Sequence, residues 1–280
     1  MNNIGKIIGV YKGHPLNKNS ILSRVIKYRG TLINVSELDL AVDNNAEITD
    51  QNHIGGIEFV RKMAEIIQIT KNMKILDLGC GLGGSARILA HFYGCNVLGV
   101  DVSENRIRDA KYLTALVNLD QLVTFKQGEI FDHIYQSSGF DVVWGQAAWS
   151  HVLDQCRLLD LITNCLKPGG WIAFEDALTI VEPNNFECLT SMENLKNIWL
   201  SEFPTVSFWK ELLAEYGFSI CTIDNLSNEF IAYYSHLLTK RNEYINSDGL
   251  SFEEQGWREA VKLGKKNMLG YFRFVGKLVT

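Results

Sequence analysis

The chain has 280 residues, of which 46% are hydrophobic and 21% are charged, values typical of a globular protein without low-complexity segments. Its formal net charge of −5 argues against nucleic acid or an anionic membrane as a partner. The six cysteines form no C-x-x-C pair and the N-terminus shows no signal-peptide pattern, so we expect a cytoplasmic protein without metal sites or disulfides.

Residues 1–68 are predicted to be helical or irregular, with one clear amphipathic helix from Ile54 to Ile67. We assign them to an N-terminal cap or lid. From about residue 73 to 176 the chain alternates short apolar runs with amphipathic ones, which is typical of βα units on a parallel sheet. This region is predicted to be the core of a domain that spans residues 69–280.

Five strands and three helices are predicted within the alternating region. The strands are Met73–Leu78, Asn96–Val100, Leu122–Lys126, Phe140–Trp144 and Trp171–Phe174. The helices are Ser85–Tyr93, a helix that begins after the N-cap Ser103 and ends near Val117, and Leu153–Leu166. The last of these ends before a Pro-Gly-Gly turn at 168–170, since proline and glycine do not continue a helix.

The remaining residues are predicted to extend the sheet and to cover it. Cap insertions are expected at about 177–207 and 225–268. Further elements are a helix at Phe208–Tyr216, a strand at Phe218–Ile223, a helical stretch at Phe230–Tyr244 and a strand at Tyr271–Val279. The expected fold is α/β and Rossmann-like: a mostly parallel seven-stranded sheet with an antiparallel edge strand, helices on both faces, and a cap of N-terminal helices and insertions.

A glycine-rich segment, ILDLGCGLGG at 75–84, joins the first predicted strand to the helix after it. Gly79, Gly81 and Gly84 spell G-x-G-x-x-G, which places backbone N–H groups and a helix N-terminus beside a ligand. Asp77 precedes them, and its carboxylate would repel a pyrophosphate. It suits a ligand with an ammonium or a sulfonium, and S-adenosylmethionine carries both. The alternative, that Asp77 only caps the glycine turn, is less favoured.

A second acidic residue, Asp101, ends the second predicted strand, about 20 residues after the glycine loop. There it is placed to accept hydrogen bonds from both ribose hydroxyls of an adenosine ligand. An acidic residue at this position would bind the ribose of a nicotinamide dinucleotide and that of S-adenosylmethionine equally well. A purely structural role as the N-cap of the next helix is less favoured, because Ser103 already takes that place.

Five sequence blocks together resemble the class I S-adenosylmethionine-dependent methyltransferases. They are ILDLGCGLGG, VLGVDVSENRIRDA, FKQGEIF, FDVVWGQAAWSHVLD and LKPGGWIAFED, in the order and spacing of that family over residues 73–176. The segments DQNHIGGIEFVRKMAEI, FWKELLAEYGFSI and GYFRFVGKLV are similar to the sarcosine/dimethylglycine methyltransferase-like group. The resemblance covers most of the chain but not the insertion at 177–207.

The resemblance implies S-adenosyl-L-methionine as the cofactor and S-adenosyl-L-homocysteine as its product. Asp77 would lie beneath the ammonium and Asp101 would bind the ribose. The other implied cofactor-binding residues are Gly79, Cys80 and Gly81 along the methionine moiety, Val102, Gly128, Glu129 and Ile130 around the adenine, and Gln146 on the opposite side. The family often has Asp where this chain has Glu129, so the backbone contact there is better supported than the side-chain contact.

Methyl transfer from a sulfonium rests on positioning and desolvation, and it needs a base only if the acceptor must lose a proton. His151, beyond the fourth strand, is the candidate general base or substrate-orienting residue, and related methyltransferases often carry His there. A structural role at a helix start is equally open. Candidate substrate-binding residues are Trp149, Tyr233, Tyr234 and Gln51; aromatic faces would hold a cationic amine or an apolar ring.

The acceptor is expected to be a small molecule that is methylated on N, O or C. The supply of aromatic residues favours a partly apolar specialised metabolite, with a small amino acid derivative of the sarcosine type as the alternative. An S-adenosylmethionine-binding protein with a non-methylating role such as cyclisation stays open, whereas Asp77 counts against an NAD-dependent oxidoreductase. Neither nucleic acid nor a membrane is expected as a partner, and the chain would be a monomer or a homodimer.

Overall fold

The computed structural model describes residues 3–12, 14, 16–41, 49–132, 139–240 and 251–279. Seven strands form one sheet: β1 Lys74–Leu78, β2 Asn96–Asp101, β3 Val123–Gln127, β4 Phe140–Gln146, β5 Leu166–Thr179, β6 Phe218–Asn225 and β7 Leu269–Leu278. Their order across the sheet is β3-β2-β1-β4-β5-β7-β6. The chain reverses direction across the sheet between β1 and β4, which is where ligands bind in open α/β sheets.

The sheet confirms the predicted mixed topology. Strands β1 to β5 are parallel, and β7 runs antiparallel to both of its neighbours, β5 and β6. The antiparallel strand therefore lies second from the end of the sheet, and β6 forms the end itself.

Strand β5 is longer than the sequence predicts. It continues past Phe174 to Thr179 because it pairs with β7 from Trp171 to Thr179. The prediction ended at a charged pair, Glu175 and Asp176, which ordinarily marks the end of a buried strand. Both side chains are nevertheless buried, and each accepts hydrogen bonds from the protein.

Helices cover both faces of the sheet, as predicted. In the described ranges they are α1 Asn3–Lys12, α2 Lys18–Arg29, α3 Glu37–Ala41, α4 Gly56–Ile67, α5 Gly84–Tyr93, α6 Glu104–Leu116, α7 Gln155–Cys165, α8 Phe186–Trp199, α9 Val206–Glu215, α10 Ser227–Thr239 and α11 Ser251–Lys265. Apolar residues of α4, α5 and α6 pack on one face of the sheet. Those of α7 and α9 pack on the other face.

The insertions form a cap in which α8, α10 and α11 pack together. Their shared core includes Leu195, Phe230 and Leu263. Helices α8 and α11 were not predicted, and residues 241–244 of the predicted stretch Phe230–Tyr244 lie outside the described residues. The division into a lid at 1–68 and a main domain stays a prediction. Within the described ranges, no helix is long and apolar enough to cross a membrane.

Candidate functional site

The glycine loop turns tightly at the carboxyl end of β1. Gly79 has a φ of +85° and Gly81 a φ of +53°, a region that favours glycine. The N–H groups of Gly79 and Cys80 both donate to the carbonyl of Val100, at 2.8 and 3.0 Å. A Cβ on Gly79 would overlap the Cβ of Ala148. The loop therefore fits between β2 and the turn after β4 only because Gly79 has no side chain.

A cavity of about 370 Å³ opens beside this loop at the carboxyl ends of the strands. Ten of the predicted site residues line it: Asp77, Gly79, Cys80, Gly81, Asp101, Val102, Glu129, Ile130, Gln146 and His151. The other five, Gly128, Trp149, Tyr233, Tyr234 and Gln51, are not among its lining residues. The structure thus brings the predicted cofactor-binding segments together around one cavity.

Asp77 lies at the cavity with its side chain 2% exposed. Its Oδ2 atom is buried and has no hydrogen-bond partner among the described residues. Burial raises the pKa of Asp77 to about 8, and the nearby charge of Asp101 adds to the rise. A buried carboxylate without a partner is costly, so this position is suited to a ligand that brings a positive charge.

The carboxylate of Asp101 accepts two hydrogen bonds from the backbone and can accept more. One carboxylate oxygen accepts the N–H of Gly81 at 2.9 Å and the other accepts the N–H of Ser103 at 2.8 Å. Each carboxylate oxygen has two lone pairs, so each can accept a further hydrogen bond from a hydroxyl. These contacts fix the carboxylate at the edge of the glycine loop, where a ribose can reach it.

The turn after β3 lies next to Asp101. Gly128 N–H donates to the carbonyl of Asp101 at 3.1 Å, and Glu129 N–H donates to the carboxylate of Asp132 at 2.9 Å. Ile130 is half-buried and packs against the core beneath α7. Val102 and Ile130 thus offer apolar surface to the same part of the cavity, which suits a flat heterocycle.

Gln146 is held in one orientation by a buried network. Its Nε2 donates to Glu175 at 2.9 Å, and its Oε1 accepts from Ser85 Oγ at 2.7 Å and from Trp144 Nε1 at 3.0 Å. Arg273 pairs with Glu175 on the far side, at 2.6 Å. Burial raises the pKa of Glu175 to about 7, against the opposing effect of Arg273. The network fixes the wall of the cavity at the end of β4.

The segment before α4 adjoins this wall through Ser85, whose Oγ contacts both Gln146 and His53. Gln51 donates through Nε2 to Asp50 Oδ1 at 2.9 Å, and its Oε1 lies 3.1 Å from His53 Nε2. Ser85 Oγ is also 3.1 Å from that nitrogen. Burial lowers the pKa of His53 to about 4, which favours a neutral imidazole. Gln51 therefore orients His53, and it is His53 that lines the cavity.

His151 ends a short 3-10 turn, Trp149–His151, that follows β4. Its Nδ1 lies 3.2 Å from the carbonyl oxygen of Leu200 and 3.1 Å from Ser201 Oγ. Because the carbonyl can only accept, Nδ1 carries the proton, and in the neutral ring Nε2 is then the acceptor. The insertion thus gives His151 the tautomer that a base at the cavity needs.

Three of the predicted substrate-binding residues are not among the residues that line the cavity. Trp149 is buried, stacks on Phe174 at 4.8 Å and donates to the carbonyl of Leu78 at 3.2 Å. Tyr233 and Tyr234 are half-buried on α10, within the aromatic cluster of the cap. Their role in substrate binding stays a prediction.

Two features around the cavity were not predicted from the sequence. Helix α1 contributes Ile4 and Ile7 to the lining, although nothing in the N-terminal sequence distinguishes them from core residues. The second feature is Arg87 on α5, which is fully buried and pairs with Glu37 at 2.9 Å and Asp50 at 2.6 Å. An arginine within the apolar face of the helix was the available signal.

Comparison with known proteins agrees with this geometry. A family model described as a methyltransferase domain matches residues 69–217, more than half of the chain. A glycine/sarcosine/dimethylglycine N-methyltransferase from Actinopolyspora halophila is 29% identical over 76% of this chain and 38% of its own length. A sarcosine/dimethylglycine N-methyltransferase from Halorhodospira halochloris is 27% identical over 61% of this chain and 60% of its own. The chain spans less than two thirds of either relative.

Solved structures share the fold at low identity. The geranyl diphosphate C-methyltransferase of Streptomyces coelicolor A3(2), solved with Mg²⁺, geranyl-S-thiolodiphosphate and S-adenosyl-L-homocysteine, has a TM-score of 0.71 and 15% identity; the match covers 100% of this chain and 99% of that one. The Haemonchus contortus phosphoethanolamine N-methyltransferase 2, solved with S-adenosyl-L-methionine, has a TM-score of 0.68 and 19% identity over 88% of this chain and 60% of that one. With the family match and the cavity together, the chain belongs to the methyltransferase domain family.

Proposed function

We propose that this protein transfers a methyl group from S-adenosyl-L-methionine to a small-molecule acceptor, on N, O or C. The observation that carries the proposal is the buried carboxyl group of Asp77 at the cavity, whose Oδ2 has no hydrogen-bond partner among the described residues. A ligand ammonium would supply the missing positive charge. The pyrophosphate of a nicotinamide dinucleotide would instead bring further negative charge beside Asp77 and Asp101, so an NAD-dependent oxidoreductase is disfavoured.

The residues present fit this cofactor. Asp77 would hold the ammonium, Asp101 would accept the ribose hydroxyls, and the backbone of Gly79 and Gly81 would lie along the methionine moiety. When bound, S-adenosyl-L-methionine supplies a methyl group already activated by the sulfonium. The protein then has to orient the acceptor, exclude water and, where the acceptor is protonated, remove a proton.

His151 is the proposed base or orienting residue. Its Nδ1 proton is directed to the carbonyl of Leu200, which makes Nε2 the acceptor of the neutral imidazole. Asp176 is buried close by and accepts the N–H of Ser150 at 2.8 Å; burial raises the pKa of Asp176, and the charge of His151 acts against that rise. This carboxylate would favour the imidazolium that forms when His151 takes a proton.

The proposed acceptor is a partly apolar specialised metabolite, handled in the cytoplasm by a monomer or a homodimer. Apolar side chains at the cavity support this choice, among them Ile7, Phe131 and Leu153. The cap adds an aromatic cluster in which Trp199 lies 5.2 Å from Tyr234. A small zwitterion such as sarcosine would need a cation for its carboxylate; Arg106 and Arg157 line the cavity, so it stays the alternative.

A labelled-cofactor assay tests the proposal. The protein is incubated with methyl-labelled S-adenosyl-L-methionine and two acceptor sets: glycine, sarcosine and dimethylglycine in one, and larger amines and phenols in the other. Label in the second set alone supports the proposed acceptor, and label in the first set alone replaces it by the sarcosine-type alternative. Tight binding of the cofactor without label in either set or in a metabolite extract favours a non-methylating role such as cyclisation.

A further inference from the structure

Arg157 and Phe131 join two separate parts of the cavity lining. Arg157 lies in the first turn of α7, after β4, and its Cζ is 4.1 Å from the centroid of the Phe131 ring in the turn after β3. Both side chains line the cavity. Strands β3 and β4 are not neighbours in the sheet, since β2 and β1 lie between them. The contact therefore connects segments that reach the cavity from different strands.

The guanidinium of Arg157 is a cation that packs on an aromatic ring and not on an acid. Among the described residues it forms no ion pair with a carboxylate. The nearby carboxylate of Asp154 instead accepts the backbone N–H of Arg157 at 2.9 Å, as the N-cap of α7. A guanidinium at a cavity, with one ring of the protein against it, is suited to contact a second π system in a ligand.

The segment that leads into α7 also brings an exposed apolar side chain to the cavity. Leu153 is 60% exposed, although it is one of the lining residues. Val102 and Ile130 line the same cavity from the turns after β2 and β3. A flat heterocycle that covers Leu153 would remove apolar surface from water, which favours its binding.

The order of the strands indicates which part of the proposed cofactor meets Arg157. Asp77, the proposed partner of the ammonium, is on β1, and Asp101, the proposed partner of the ribose, ends β2. The next strand in this direction is β3, and the turn after it carries Ile130 and Phe131. The adenine, which follows the ribose, would therefore lie at the part of the cavity where Arg157 packs on Phe131.

We propose that the guanidinium of Arg157 binds the adenine of S-adenosyl-L-methionine and that Phe131 positions Arg157 for this contact. The inference rests on the proposed function, because it concerns the proposed cofactor. Contact with a purine uses the planar surface of the guanidinium, so arginine suits this position better than lysine does. The identity of the methyl acceptor does not enter the argument.

Calorimetric titration of the full chain with two ligands tests the inference. One is S-adenosyl-L-homocysteine, and the other is 5′-methylthioadenosine, which has the adenine and the ribose but no amino acid. Arg157→Ala should weaken the binding of both ligands by the same factor, about 3- to 30-fold. Arg157→Lys should restore only part of the lost affinity, because an ammonium has no planar surface. Asp77→Asn should weaken S-adenosyl-L-homocysteine alone, since only that ligand has an ammonium.

Two further variants test the role of Phe131 and the specificity of the effect. Phe131→Leu keeps an apolar side chain but removes the ring, so it should weaken both ligands. Combined with Arg157→Ala it should add little to the loss, because Phe131 acts through Arg157. The control is Arg108→Ala, an exposed arginine on α6, which should bind both ligands as the wild type does. Arg157 is exposed too, so thermal unfolding without ligand should match the wild type in both arginine variants.

The possible failures are distinguishable. Unchanged affinity for both ligands in Arg157→Ala, with a wild type that binds them, overturns the inference and leaves the proposed function intact. A loss for S-adenosyl-L-homocysteine without one for 5′-methylthioadenosine also overturns it, because Arg157 would then contact the amino acid. A raised KM for the acceptor at unchanged cofactor affinity overturns it as well. A wild type that binds neither ligand overturns the proposed function together with this inference.

Discussion

Arg87 Nη2 donates to Asp50 Oδ2 across 2.6 Å, and both side chains are completely buried. The pair joins α5, the helix that follows the glycine loop, to the segment before α4, and Asp50 itself lines the cavity. Arg87 Nε also donates to Glu37 on α3 at 2.9 Å. Burial and the charge of Asp50 raise the pKa of Glu37 well above its ordinary value, against the opposing effect of Arg87, so two buried carboxyl groups share one guanidinium.

Replacement of Arg87 and replacement of Glu37 should lower the free energy of unfolding by unequal amounts. Arg87→Met leaves Asp50 buried without its counter-ion and should lower the free energy of unfolding by about 3–5 kcal/mol. Glu37→Gln keeps the shape of the side chain and leaves Arg87 paired with Asp50, so it should cost about 1 kcal/mol or less. Chemical denaturation measures both values. Equal losses in the two variants would contradict this assignment of charges.

Asp77→Asn should stabilise the protein while it weakens the cofactor site. The folded protein raises the pKa of Asp77 to about 8, so above that pH it holds an unpaired buried carboxylate. The unfolded chain ionises Asp77 near pH 4 and the folded protein near pH 8, so the cost of this group grows between those values and is complete above pH 8. The amide should therefore raise the free energy of unfolding by about 2–4 kcal/mol above pH 8, by less as the pH falls towards 4, and not at all below it. Affinity for S-adenosyl-L-homocysteine should fall roughly 10- to 100-fold. A destabilised variant, or unchanged affinity, would argue against the role of Asp77.

The raised pKa of Asp77 predicts that cofactor binding depends on pH. Burial raises the pKa of Asp77 to about 8 in the ligand-free protein, so below that pH the carboxyl group is mostly protonated. An ammonium binds the ionised form better, so binding releases a proton and affinity should rise between about pH 6 and 8, by up to about tenfold per pH unit, and then level off. Calorimetry at several pH values measures this slope. Asp77→Asn should have a flat profile over the same interval, and a flat wild-type profile would refute the prediction.

Gly79 and Gly30 form a matched pair of glycines with positive φ. Gly79 has a φ of +85° and no room for a Cβ, whereas Gly30 has a φ of +74° and nothing within 4 Å. Gly30→Ala should cost about 1 kcal/mol from backbone strain alone. Gly79→Ala adds an overlap with Ala148 that must displace the loop, so it should also abolish cofactor binding. Cofactor affinity that survives in Gly79→Ala would mean that the loop does not shape the site.

His151→Gln distinguishes a base from a structural residue. For an acceptor that must lose a proton, kcat should fall by about 100-fold or more, while affinity for S-adenosyl-L-homocysteine stays close to that of the wild type. The control is His91→Gln, an exposed histidine on α5. If kcat is unchanged in His151→Gln, the residue only holds the loop after β4.

Local patterns predicted most of the sheet and most of the cavity. Asp77, Asp101 and the glycine loop lie within short segments whose spacing fixes their position at strand ends. What escaped prediction depends on partners distant in sequence: Glu175 is buried through Arg273, almost 100 residues later, and strand β5 continues for the same reason. His151 was predicted, but its tautomer depends on the carbonyl of Leu200 in the insertion.

Calorimetric titration of the purified chain with S-adenosyl-L-homocysteine and, separately, with NADH tests the central claim most directly. The proposed site predicts saturable one-to-one binding of S-adenosyl-L-homocysteine, weakened in Asp77→Asn, and no heat of binding for NADH. Binding of NADH in its place, or of neither ligand, would contradict the claim that this cavity holds the methyl donor.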